Sequence, residues 1–476
     1  MRSLWSAFIM VVLIAITIST AVAADQPENI NRYHKGYRFD KDGWIYIHIE
    51  GEPYDRGFQY GYLAAPELGE IMKTIRYMTL WDTGKDWEFF VNAGEDLFIS
   101  QMDPEYLQEI KGIAAGANAQ KSNLTWQDIL AWNGYSELTD YWWENELKEI
   151  QSTGNKAIKG RCSAFIATGN ATSDGRIVIA HNTWEGFPIG QFYNMILDIK
   201  PAEGHRIFMQ SIPGHIDSFT DFFVTDAGLV GTETTIGGFE SYEPYKAPSF
   251  LRVRKAMQYA DTMDQFVNIL SENRSGGVAD SWLLGDTNTG EIMRFELGLN
   301  YSNITRTRDG YFIGFNAPTD PRIRNLECSS TGYADIRHPE GARQVRLTEL
   351  MDENYGRINV DVAKAILADH YDVYLKKINP SSRTIDGHYE LDAEEYPGDV
   401  DPPFYPDGTV DGKVANATMA KNMSFWARWG SSSGLPFDAS EFLKEHIQYS
   451  DLKGYLKDRP TRPWTIFAAD AGNASG

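Results

Sequence analysis

The order of segments predicts an α+β fold in which helices cover β-sheets. Three observations carry that expectation. Residues 64–150 keep helical spacing almost throughout, residues 162–315 are dominated by short β-like runs, and one helical segment at 249–272 interrupts those runs. Element by element, Gly43 to Glu50 alternates as a strand does. Tyr54 to Leu63 mixes small and aromatic residues, as a closely packed helix start would. Pro104 to Ala114 has apolar residues three and four apart, and Thr125 is placed to cap a helix beginning at Trp126. Residues 151–161 are polar, glycine-containing and aperiodic, and read as an exposed connector. Cys162 to Thr168 is the next strand, 169–175 a turn cluster, and Arg176 to Trp184 the returning strand. Further strands are expected at 195–200, 206–211, 221–236, 281–297 and 311–315. Residues 386–411 are rich in Asp, Glu, Pro and Gly; without EF-hand spacing they read as a solvated surface insertion rather than a Ca²⁺ loop.

Composition narrows the function. Of 476 residues, 42% are hydrophobic and 23% charged, an ordinary globular balance. The net charge of −22 repels phosphate backbones and anionic lipid surfaces, so no nucleic-acid partner is expected. Thirteen Trp and 25 Tyr suit either a large core or a pocket for apolar or sugar-like ligands. Two cysteines, Cys162 and Cys328, exclude a disulfide scaffold but allow one bridge.

The first residues read as an export signal. Arg2 precedes the apolar run Ala7 to Ile16, and Ala21-Val22-Ala23 fits a cleavage site, giving a signal peptide at 1–23. An uncleaved anchor is the alternative. Asn-x-Ser/Thr sequons at Asn123, Asn170, Asn273, Asn300, Asn303, Asn416, Asn422 and Asn473 agree with a secreted or cell-surface glycoprotein.

The chemistry centres on Cys162. If 169–175 form the hairpin loop, Thr168 pairs with Arg176, Cys162 lies opposite Asn182, and His181 is one step away. A register slip of one would exchange His181 and Asn182. A thiol becomes a useful nucleophile beside a base. If the Arg161–Cys162 peptide bond were cut, the freed α-amine would itself be that base.

Cys162-Ser163-Ala164 followed by His181-Asn182-Thr183-Trp184 resembles the phospholipase B-like family. Gly228 to Ile236 and Ser275 to Trp282 are similar to other segments of that family, and Glu109 to Gly116 resembles the related penicillin acyltransferase-type autoproteolytic family. The resemblance covers residues 40–350 in patches. It implies an N-terminal-nucleophile hydrolase with a four-layer αββα sandwich, formed as a precursor that cuts itself at Arg161–Cys162. The products would be a light chain, 24–161, and a heavy chain, 162–476, held together by a shared core. Cys162 would be the nucleophile and His181 its orienting partner, while Asn182 would either donate to the oxyanion or simply stabilise the strand end. Trp184 and Thr234 would contact the substrate, and Thr234 could instead hold the Cys162 amine. Arg343 resembles the arginine that supports the nucleophile in related amidases; by pattern alone it reads as a surface helix residue. Asp280 stands where the family carries Asn. An ionised Asp cannot donate a hydrogen bond; either it holds a proton, or it binds the α-ammonium, or another donor fills the hole.

The expected activity is hydrolysis of an ester or amide acyl bond in a small-molecule or lipid substrate, as in lipid degradation, without a cofactor. Acyl transfer to an amine is the close variant. A non-catalytic lipid- or glycan-binding glycoprotein on the same fold is the rival, and a Cys162–Cys328 disulfide would exclude Cys162 catalysis. No His-x₃-His or Cys-x₂-Cys metal pattern, phosphate loop, dinucleotide fingerprint or Gly-x-Ser-x-Gly elbow is present.

Overall fold

The computed structural model describes residues 29–151, 162–219, 222–329, 331–393 and 402–472. The expected signal peptide, the connector before Cys162 and the sequon at Asn473 lie outside them. Two sheets form the body. The larger has ten strands, Asn31–Tyr33, Gly36–Lys41, Trp44–Gly51, Met195–Pro201, Ile207–Ser211, Phe223–Thr225, Leu229–Thr235, Asp280–Asp286, Glu291–Leu297 and Ser302–Thr307, in that spatial order. Every neighbouring pair is antiparallel except Trp44–Gly51 with Met195–Pro201, which run parallel. The smaller sheet is antiparallel in the order Gly310–Gly314, Cys162–Gly169, Gly175–Gly186, Asp407–Asn416, Ser424–Trp429 and Thr465–Ala468.

The sheets pack face to face. Gly285 of the large sheet lies against Ile166 and Ile177 of the small one, so close that a Cβ would sit 3.1 Å from each. Ala164, Ile166, Ile177 and Ile179 join the inter-sheet core, while Phe165, Ala167, Val178 and Ala180 face Leu347, Met351 and Ile366 of the helices Pro339–Glu353 and Val360–Leu367. Period-two alternation thus splits the hairpin into a sheet-facing and a helix-facing side. On the outer side of the large sheet, the helices Pro53–Leu63 and Pro104–Ala119 cross at their backbones. Gly57, Gly61, Gly112 and Gly116 make that crossing possible, because a Cβ at any of them would lie within 2.3 Å of a facing carbonyl oxygen. The four layers are helices, sheet, sheet, helices, as the α+β expectation and the αββα sandwich require. Thr125 caps its helix in a full capping box with Asp128.

Three expectations change. The segment 249–272 is two helices, Ser249–Tyr259 and Met263–Ser271, because Thr262 caps the second and breaks the first. Residues 386–411 are not a solvated insertion where described: Asp386, His388, Glu390, Asp392, Asp407 and Asp411 are buried, since the segment returns to build the strand Asp407–Asn416 inside the small sheet. The hairpin starts in the expected register, Gly169 opposite Gly175, but a bulge between Ala167 and Gly169 shifts it by one, and Cys162 pairs with Thr183.

Candidate active site

The shifted register decides which side chains meet Cys162. Ala164 is opposite His181 and Ser163 opposite Asn182. Cys162, His181 and Thr183 therefore face the inter-sheet side, and Ser163, Asn182 and Trp184 the helices. The Cys162 thiol, one His181 ring nitrogen and one Glu233 carboxylate oxygen all lie within 4.8 Å of one another. Asn182 is on the other face. Its amide donates to the carbonyls of Leu367 at 2.8 Å and Ile385 at 2.9 Å, and its oxygen accepts from Ser432 at 2.6 Å. Its hydrogen-bonding capacity holds the helix layer, and the expected amide donor beside the thiol is not there.

Arg343 is fully buried, contrary to the surface reading. Its Nη1 donates to the Cys162 carbonyl oxygen, to Asn316 Oδ1 at 2.8 Å and to Ser163 Oγ at 3.3 Å. Its guanidinium lies 4.3 Å from the Trp184 ring centre, so Trp184 holds the arginine as well as walling the cleft. Asn316, which no sequence pattern singled out, accepts from the Cys162 backbone N–H at 2.8 Å and donates to the Thr235 carbonyl at 2.8 Å. Asn316 has φ of 66°, a left-handed turn at the end of Gly310–Gly314 that Asn tolerates better than most residues. The only sequence hint was an Asn just past a predicted strand and before Ala317-Pro318.

A second unforeseen group lies one strand away. Lys413 is paired in register with His181 and Asp411 with Thr183. Lys413 Nζ contacts Asp411, Thr183 and Gln210, and all four are buried. Burial draws the Lys413 pKa down and pushes that of Asp411 up. Burial also pushes the Cys162 thiol up to about 12, opposed by the Trp184 backbone N–H and by the charges of Lys413 and Arg343. His181 is held well below its ordinary value by burial and by Lys413, so it is neutral, and its Nε2 has no hydrogen-bond partner among the described residues.

Asp280 is buried and its pKa is pushed up to about 7, first by desolvation, with a hydrogen bond to Glu233 and the charge of Arg252 opposing. A proton is therefore present near neutrality where an ionised carboxylate would carry none. Thr234 is buried with its hydroxyl unpartnered among the described residues, but it packs against Gly314 and is not among the residues lining the cleft. Cys162 and Cys328 are both free thiols. Arg161 lies outside the described residues.

The cleft above Cys162 is lined by aromatic and aliphatic side chains, among them Tyr135, Tyr141, Trp184, Tyr193, Phe219 and Tyr405, and by the carboxylates of Asp82, Asp140, Glu144, Glu185 and Glu233. No Lys or Arg lines it among the described residues.

The Phospholipase B family matches residues 87–451. A Phospholipase B of Crotalus adamanteus is 24% identical over 393 residues, covering 74% of this chain and 67% of that one. Phospholipase B-like 1 of Homo sapiens is 22% identical over 442 residues, covering 80% and 75%. A protein of Archaeoglobus fulgidus is 23% identical over 288 residues, 58% of this chain, which spans about half, 47%, of the archaeal one. Among solved structures, a variant of conjugated bile acid hydrolase from Clostridium perfringens aligns with TM-score 0.27 at 10% identity, over 58% of this chain and 82% of that one. By the extent of the family match, the chain belongs to the phospholipase B family.

Proposed function

We propose that the protein is an exported acyl hydrolase that uses Cys162 as nucleophile after cutting itself between Arg161 and Cys162. The observation that carries this reading is the grip on Cys162. Asn316 holds its backbone nitrogen, Arg343 its carbonyl oxygen, and its thiol opens into a cleft beside neutral His181. At Cys162 buried side chains, rather than a neighbouring strand, satisfy the backbone N–H and carbonyl, while the thiol is left facing the cleft.

In self-cleavage, Sγ attacks the Arg161 carbonyl carbon. The thiol proton passes to the leaving backbone nitrogen, the C–N bond breaks, and a thioester to Arg161 remains. Water then releases the Arg161 carboxylate and restores the thiol. The freed nitrogen is now an α-amine, still facing Asn316 Oδ1, with a reference pKa near 8 that suits proton transfer at neutral pH. In turnover the same thiol attacks the substrate carbonyl, its proton leaves with the alcohol or amine, and water hydrolyses the acyl-thioester. The charges of Arg343 and Lys413 partly oppose the burial that raises the thiol pKa, and would stabilise negative charge developing there during attack. Asp280 does not line the cleft; it hydrogen-bonds Glu233, which lies beside the thiol, and would act on the reaction through that carboxylate.

The light chain, 24–161, and heavy chain, 162–476, would stay together because each supplies strands to the large sheet. Trp44–Gly51 pairs along its length with Met195–Pro201. Tyr46 and His48 also hydrogen-bond the buried Asp198 at 2.8 Å. Export is supported by the sequons: of the seven that are described, none has a buried Asn. No helix among the described residues is long and apolar enough to cross a membrane. The acidic, aromatic cleft favours an acyl substrate without net negative charge, such as a neutral or zwitterionic lipid. A thiol-reactive acyl probe tests the proposal. It should label the native protein once, on Cys162 as an N-terminal residue. Labelling that persists in Cys162→Ala, or none in the wild type, would reject it.

A further inference from the structure

On the helix-facing side of the same hairpin, behind Trp184, three side chains converge that the proposed reaction does not use. His370 follows the helix Val360–Leu367, and Asp386 and His388 sit in the loop that passes under Trp184. His370 Nε2 lies 3.1 Å from Asp386 Oδ2, and His388 Nε2 lies 3.6 Å from that same oxygen. The ligand atoms of all three lie within 4.8 Å of one another. Two ligands of a tetrahedral Zn²⁺, at bonds of about 2.0–2.1 Å, stand roughly 3.3 Å apart, and the two measured separations bracket that length.

His388 is the informative residue. Its Nδ1 is 2.8 Å from Glu390 Oε1, so Nδ1 carries a proton and donates it to that carboxylate. Its Nε2 is buried, with the residue 3% exposed, and has no hydrogen-bond partner among the described residues. That nitrogen faces a carboxylate oxygen at a distance too long for a hydrogen bond. A ring nitrogen turned toward an ionised oxygen at that distance is stable only with a proton or a metal ion between them. A carboxylate behind the opposite ring nitrogen is the usual outer support of a metal-bound imidazole. Asp386 is itself held by Ser431 Oγ at 2.6 Å and by the backbone N–H groups of Ser433 at 2.9 Å and Ser432 at 3.2 Å.

We infer that His370, Asp386 and His388 form a binding site for one divalent transition-metal ion of the Zn²⁺ class. Two imidazoles and one carboxylate suit Zn²⁺, whereas Ca²⁺ takes an all-oxygen shell. The His370 side chain is 14% exposed and offers the ion a route in. The role is structural. Gly387, between two of the ligands, lies so close to Trp184 that a Cβ there would sit 2.3 Å from the ring. Ser432, beside Asp386, donates to Asn182. The ion therefore ties the 370–388 segment and the Ser431–Ser433 turn to the wall that carries Arg343. No short metal motif marks this site in the sequence, because its ligands are separated by 16 and 2 positions.

The test uses the full chain carrying Cys162→Ala, because Cys162, His181 and Glu233 could also hold an ion. The protein is stripped with chelator and titrated with Zn²⁺ alone, followed by elemental analysis and thermal unfolding. The expected result is one equivalent of Zn²⁺ and a raised midpoint, with affinity falling by about 10-fold or more in His388→Ala and in His370→Asn. Circular dichroism checks that each variant is folded, and if buried His388→Ala is not, the partly exposed His370→Asn carries the comparison. Absence of stoichiometric Zn²⁺ binding, or binding that survives both substitutions, would overturn the inference and leave a proton as the cation.

Discussion

The two faces of the hairpin formed by Cys162–Gly169 and Gly175–Gly186 differ in what their polar groups are free to do. On the helix side, Asn182 is saturated by Leu367, Ile385 and Ser432, and Trp184 is sandwiched between Arg343 and Gly387. On the sheet side, His181 Nε2 has no hydrogen-bond partner among the described residues, while Lys413 and Asp411 are bonded to each other and each drawn toward neutrality. The saturated Asn182 stabilises the wall, whereas His181 and the Lys413–Asp411 pair have capacity to take up or give a proton. A single bulged residue, Thr168, decides which group lies on which face.

The sharpest way to break this comparison is to exchange neighbours across it. His181→Gln keeps the size of the side chain but removes the ring nitrogen beside the thiol. Turnover should fall by about 10²–10⁴-fold with little change in stability, as read from kcat/KM and urea unfolding. A turnover within about threefold of wild type would remove His181 from the chemistry. Arg343→Ala should act on both faces, since it strips partners from the Cys162 carbonyl, Asn316 and Trp184. The expected cost is about 3–5 kcal/mol by denaturant unfolding, together with loss of processing.

Asn182→Ala should give the opposite pattern to His181→Gln. It leaves two buried carbonyls without donors and should cost about 1–3 kcal/mol, while kcat of the folded protein stays near wild type. A large kcat loss at unchanged stability would return Asn182 to the reacting face. Asp280 sharpens the comparison through pH. Its folded pKa of about 7 lies above the ordinary 3.8, so the folded chain holds a proton there that the unfolded chain has already lost. Stability should decline as pH rises from about 4 to about 7 and level off above. Asp280→Asn should flatten that decline and keep its activity at pH 8, as thermal midpoints and pH–rate profiles would show. The smallest effect belongs to Cys328→Ser, which should alter stability by no more than about 0.5 kcal/mol and leave labelling at Cys162 intact.

Much of this was readable in the sequence where one local signal acts alone. Alternation marked the Trp44 strand, the small residues between Tyr54 and Leu63 marked a closely packed helix, and Thr125 announced its cap. The Cys162 and His181 pair was legible because a short turn joins their strands. The exact partner was not, because a one-residue bulge has no strong sequence signature and flips every later side chain. Arg343, Asn316 and Lys413 reach Cys162 across gaps of 154 to more than 200 residues, and nothing local distinguishes a buried helix arginine from an exposed one. The acidic stretch after Asp386 misled for the same reason. Its carboxylates are offset by His370, Ser431 and the buried Arg459, which composition does not reveal.

Intact mass and N-terminal sequencing of the purified protein bear most directly on the grip around Cys162. The account predicts two associated chains, the heavy one beginning at Cys162, and a single uncut chain in Cys162→Ala. A wild-type protein that remains one chain through residue 162, or that is cut equally well without the thiol, would contradict it.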